Sequence, residues 1–122
     1  RVVVYLCGDN DIFALGPDGV DSAVDGFRLF VDVAGMHLPS LGRIIYLPIH
    51  SAPGSKELDR LRGQANDQLR AVCESADRVT LVDYLHLVDD DAFMEDRLHF
   101  TPDFYHTLAE YLRPTLVDAM RQ

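Results

Sequence analysis

A chain of 122 residues with 48% hydrophobic content provides for one domain, residues 1–122, with a modest core and no room for a second. Its 11 Lys plus Arg against 20 Asp plus Glu give a formal net charge of −9, which repels phosphate backbones and anionic lipid surfaces and argues against nucleic-acid and membrane partners. The longest apolar runs fall far short of the ~20 residues that a spanning helix needs, and no export-signal pattern opens the chain, so it reads as soluble with its compartment undefined.

The chain opens on Arg1-Val-Val-Val-Tyr-Leu-Cys7 without an initiating Met, which suggests a cut or processed piece of a longer polypeptide. Residues 2–7, 44–49 and 79–84 are continuous, β-branched apolar runs bounded by turn residues, the pattern of strands buried on both faces of a parallel sheet. After the first run, residues 15–19 (Leu-Gly-Pro-Asp-Gly) read as a loop by their turn chemistry. Val24, Phe27, Val31 and Ala34 then repeat at helical spacing. After the second run come another loop over residues 51–55 and a helical stripe of Leu58, Leu61, Ala65, Leu69 and Val72. The last helix begins at Thr101 as N-cap, with Pro102 and Asp103 in its first turn and a stripe of Phe104, Leu108 and Tyr111 or Leu112. Pro114 is expected to kink or end it. Cys7 and Cys73 read as small buried hydrophobes, with no disulfide framework or metal spacing. Strand then helix, three times over, predicts an α/β layered fold with right-handed crossovers.

Ligands of an open parallel sheet bind beyond the carboxyl ends of its strands. Gly8-Asp9-Asn10-Asp11 follows the first run, His50-Ser51 the second, and Glu95-Asp96-Arg97-Leu98-His99 precedes the last helix. Asp96 and His99 are spaced so that one turn of backbone can bring the carboxylate to one imidazole nitrogen, which orients a general base. The same Asp-x-x-His is also what a polar loop entering a helix cap looks like. Asn10 can donate its amide to a developing oxyanion, or serve as an ordinary turn residue. Asp11 and His50 are candidate pocket residues. His37, His86 and His106 lack ligand spacing with one another, Asp89-Asp90-Asp91 reads as a solvated loop, and Tyr105 and Tyr111 fit the core stripe of the last helix or its flank.

Residues 3–11, a strand ending in Gly-Asp-Asn-Asp, resemble the third conserved block of the SGNH (GDSL-type) hydrolases. Asp96-Arg97-Leu98-His99, running into the helix from Thr101, resembles their fifth. Residues 44–48 and 79–83 look like the family's fourth and fifth strands, so the likeness spans essentially the whole chain. The resemblance implies a three-layer α/β sandwich with a parallel, flavodoxin-like sheet, here its three-stranded C-terminal part. It also implies carboxylic ester or thioester hydrolysis through an acyl-serine, with no cofactor and no metal. By it, His99 is the general base and later acid, Asp96 its partner, and Asn10 the side-chain donor of the oxyanion hole.

The Gly-Asp-Ser block with the nucleophile is absent, as is the second block with its oxyanion-hole glycine. Ser22, Ser40, Ser51, Ser55 and Ser75 lie in other contexts. In the family's sheet the strand of the missing block lies beside the one formed here by residues 2–7, whose bare apolar edge therefore calls for a partner. The simplest is an N-terminal segment of the same fold, and another copy of the chain is the second choice. A small ester is the expected substrate. The alternative is a catalytically silent SGNH-like binding or scaffold domain. A bacterial receiver domain matches in length, acidity and strand-helix order, but it needs five strands and a lysine after the last one, and the only lysine here is Lys56.

Overall fold

The computed structural model describes residues 1–121. Three strands, β1 (Val2–Tyr5), β2 (Arg43–Tyr46) and β3 (Val79–Leu81), form one parallel sheet in that spatial order. Val3 pairs with Ile44, and Ile44 with Val79. The ladder ends sooner than the apolar runs do, although the Leu47 N–H still donates to the Tyr5 carbonyl and the Val82 N–H to that of Tyr46. Four helices, α1 (Asp9–Leu15), α2 (Pro17–His37), α3 (Lys56–Ser75) and α4 (Pro102–Met120), surround the sheet.

Period-two alternation along β2 sorts the core into two halves. Ile44 and Tyr46 join the apolar faces of α2 and α3, including Val24, Phe27, Ala65 and Leu69. Ile45 and Leu47 join Phe104, Leu108 and Leu112 of α4 on the opposite face. The result is helix on sheet on helix. Both crossover helices lie on one face, as follows when successive crossovers of one hand step the sheet in one direction. Tyr5, Phe27 and Tyr46 pack their rings together, with centroids 4.8 Å apart for Tyr5–Phe27 and for Phe27–Tyr46.

Several expectations need correction. β1 is not buried on both faces: it pairs with β2 alone, and Val4 and Leu6 remain 44% and 37% exposed. Residues 15–19 are not a loop. The chain enters α1 directly after Gly8, and only Gly16 separates α1 from α2. The two helices approach so closely that a Cβ on Gly19 would stand 2.2 Å from the Asp11 carbonyl oxygen. Of the two outcomes expected at Pro114, a kink or an end, the helix end does not occur, since α4 runs on to Met120. Leu116 and Ala119 pack into the second core half, and that burial outweighs the hydrogen bond that the proline removes. The Thr101 cap is as read, its Oγ1 accepting from the Phe104 N–H; at the start of α3, Ser55 Oγ likewise accepts from the Leu58 N–H. Among the described residues, no helix is long and apolar enough to cross a membrane.

Candidate functional site

The carboxyl ends of β1 and β2 and the segment before α4 meet along one rim. At the end of β1 the chain turns through Gly8, whose φ of 118° lies where L side chains rarely go. A Cβ there would also come within 3.1 Å of both Ala23 and Ile49. This bend starts α1 under the loop that follows β2, and it puts Asp9, Asn10 and Asp11 in the first helical turn.

Two polar side chains of α3 hold that arrangement from below. Arg62, with 3% of its side chain exposed, donates from Nε to Asp9 Oδ1 at 2.7 Å and from Nη1 to Asp59 Oδ1 at 2.7 Å. Asp59 in turn accepts from the Ala52 N–H. One turn further on, the Asn66 amide bonds both backbone groups of Ile49, accepting from its N–H at 2.9 Å and donating to its carbonyl at 2.8 Å. The Tyr84 hydroxyl donates to the Pro48 carbonyl at 2.9 Å from the other face of the sheet. The backbone leading into His50 is therefore fixed by three hydrogen bonds, two from Asn66 and one from Tyr84.

His50 rests with its ring centroid 4.2 Å from that of Phe100 and 5.6 Å from that of Phe93. Its Nδ1 is 3.0 Å from the Ser51 carbonyl oxygen. Burial pushes the imidazole below its ordinary pKa, while the Ser51 carbonyl and Asp9 favour the charged form and offset part of that effect.

Asp96 and His99 sit on a small hairpin. Phe93 and Phe100 form an antiparallel bridge, the Met94 N–H donates to the His99 carbonyl at 2.8 Å, and Arg97 adopts φ 58° at the tip. Asp96 Oδ1 accepts from the backbone N–H groups of Leu98 and His99, which aims Oδ2 at His99 Nδ1, 2.5 Å away. The His99 side chain and backbone, together with the Leu98 N–H, hold the Asp96 carboxyl down at a pKa of about 2. Because a carboxylate only accepts, Nδ1 carries the proton and Nε2 is left as the basic nitrogen.

A cleft of about 490 Å³ has both Asn10 and His99 on its wall, along with Asp9, Asp11 and His50. Asp96 stands behind His99 rather than on the wall. Asp11 Oδ2 accepts from the Ser22 hydroxyl at 3.0 Å. The arrangement offers an amide donor and a carboxylate-steered imidazole to one bound molecule. Among the described residues, no serine, lysine or arginine lines the cleft.

Asp11 apart, residues 11–21 do not reach it. Of residues 50–55 only His50 does, while Ser51 and Pro53 border a separate depression with Asp89 and Asp90. Two wall residues were read otherwise from the sequence. Cys7 is exposed on the cleft, not buried, because β1 lacks a second neighbour. Its thiol makes no hydrogen bond to His99. Tyr105, read as core stripe or flank of the last helix rather than as a substrate contact, is half exposed and lines the cleft too. Their signal was position: one stands at a strand's carboxyl end, and the other in the first turn of the helix that follows the Asp-His pair. Cys73 is buried as expected, and burial pushes its thiol up to about 11.

No protein-family model, curated protein or solved structure matches this chain.

Proposed function

We propose that this chain is the oxyanion-binding and acid–base part of an SGNH-type ester hydrolase, cleaving carboxylic esters or thioesters through an acyl-serine intermediate. The observation that supports this reading is the single cleft shared by Asn10 and by His99, whose Nδ1 is tied to Asp96. His99 Nε2 takes the proton of a serine hydroxyl as its oxygen attacks the ester carbonyl. The Asn10 amide donates to the oxyanion that forms. The protonated imidazole, stabilised by Asp96, gives its proton to the departing alcohol or thiol. Water then repeats the sequence on the acyl-serine. Nothing in these steps calls for a metal or an organic cofactor.

The serine comes from a segment outside residues 1–122, carried on a strand that pairs with the open edge of β1. In support, β1 pairs with β2 alone among the described residues, and Val4 within it and Leu6 just after it are exposed. Cys7 is a poor substitute for that serine, since a nucleophilic thiol needs contact with its base.

The test is His99→Ala in the full-length polypeptide: hydrolysis of short-chain p-nitrophenyl esters should fall by about 10³-fold or more. Near-normal rates would remove His99 as the base. A cleft without a serine also suits a silent binding domain. A fluorophosphonate probe separates the two readings, because it labels the nucleophile of a serine hydrolase and leaves a silent domain unlabelled.

A further inference from the structure

We propose that His50 is a specificity residue that accepts a hydrogen bond from a hydroxyl of a neutral, polyhydroxylated leaving group, a sugar or polyol ester of a short acid. The inference rests on the ester-hydrolase reading and adds the substrate class to it.

The tautomer follows from one contact. A backbone carbonyl can only accept, so His50 Nδ1, 3.0 Å from the Ser51 oxygen, carries the ring proton and Nε2 holds a lone pair. Burial lowers the imidazole pKa and favours this neutral form. Among the described residues Nε2 has no protein partner. Phe100 and Phe93 pack against the ring and keep it from turning away, which gives the cleft wall a fixed acceptor.

The remaining wall selects in the same sense. Asp9 and Asp11 each have one carboxylate oxygen engaged, by Arg62 and Ser22 respectively, and a second oxygen able to accept. Without Lys or Arg on the wall, a phosphate- or carboxylate-bearing leaving group meets only like charge. Tyr105, half exposed and edge-on to Phe100 at 5.6 Å, adds an aromatic surface for the C–H face of a ring. Several acceptors beside an aromatic face suit vicinal hydroxyls better than an alkyl chain.

Three acetate esters test this in the full-length protein: a mono-O-acetyl methyl xyloside, glycerol monoacetate, and cyclohexyl acetate, which has a ring without hydroxyls. The expected result is a higher kcat/KM for at least one hydroxylated ester than for cyclohexyl acetate. That ratio should fall about tenfold in His50→Phe, as for one lost neutral hydrogen bond. In His50→Gln, which keeps an acceptor, the ratio should stay closer to the unmutated value. Which hydroxylated ester leads tells a sugar ring from an open polyol. A ratio within twofold of the unmutated value in His50→Phe overturns the proposal, as does a preference for cyclohexyl acetate, and both leave the ester-hydrolase reading standing. Failure to hydrolyse any of the three overturns the proposal, and the fluorophosphonate probe then tells whether the ester-hydrolase reading falls with it. Methyl xyloside or glycerol should also inhibit the unmutated protein more strongly than cyclohexanol, and the reverse order overturns the assignment whatever the variants do.

Discussion

Arg62 Nε lies 2.7 Å from Asp9 Oδ1, and through that contact the middle of α3 fixes the first turn of α1, where Asn10 stands. The same guanidinium holds Asp59, whose Oδ1 receives the Ala52 N–H, so one buried cation ties the turn after β1 to the loop after β2. Removing one partner of a buried pair leaves uncompensated charge, although Asp9 and Asp59 are 24% and 34% exposed and water relieves part of it. Arg62→Met should therefore destabilise the protein by about 2–3 kcal/mol, less than a fully buried pair would cost. Arg62→Lys should cost less, since an ammonium keeps the charge but not the fork that spans both carboxylates. Urea midpoints for the two variants check this, and an unshifted midpoint for Arg62→Met would mean that the network holds nothing.

Two buried tyrosines make opposite predictions. Tyr46 is fully buried, and its hydroxyl has no partner among the described residues. Tyr84 is equally buried, but its hydroxyl satisfies the Pro48 carbonyl. Tyr46→Phe should be neutral or stabilising by up to about 1 kcal/mol, because it removes an unpaired polar group. Tyr84→Phe should cost about 1–2 kcal/mol by orphaning a buried carbonyl. Thermal melts of both variants give the order directly. A larger loss for Tyr46→Phe would point to a partner beyond the described residues.

The sheet was legible because β2 is central and its alternating faces are both covered, as its continuous apolar run implies. α1 was not: its seven residues hold only one buried side chain, Ile12, so it has no apolar stripe to read. The Asp-His pair was legible because its geometry is local, with both partners inside one four-residue turn. Arg62 and Asn66 escaped notice because they are polar, yet they sit on the stripe of Leu58, Leu61, Ala65 and Leu69. A polar residue on the apolar face of a helix is itself a signal, since burial there requires a partner. That partner is far away in sequence, and spacing alone could not supply it.

The Asp96 carboxyl should titrate near 2 rather than near 3.8. A carboxyl whose pKa is lowered on folding adds stability that is present above its unfolded pKa and is lost as pH falls through the folded one. This contribution therefore fades between about pH 4 and pH 2 and is constant through neutrality. Carbon-detected NMR of the Asp96 carboxyl measures the midpoint. In His99→Ala it should rise only part of the way, because the backbone N–H groups of residues 98 and 99 still donate to Oδ1. A full return to the ordinary value would assign the whole effect to the imidazole.

Asn10 stands in the first turn of α1, on the wall it shares with His99. If its amide donates to an oxyanion, the bond gains strength as the carbonyl oxygen takes up charge and is weak to the ground-state ester. Asn10→Ala should then lower kcat on the order of 10²-fold with a much smaller change in KM. Asn10→Asp should lose more, since a carboxylate opposes the developing charge where the amide favoured it. A purely structural role predicts a different pattern, with loss of stability in both variants and KM rising as the cleft loosens. Steady-state kinetics beside urea unfolding of the two variants decides between them, and equal losses in Ala and Asp would sink the oxyanion role.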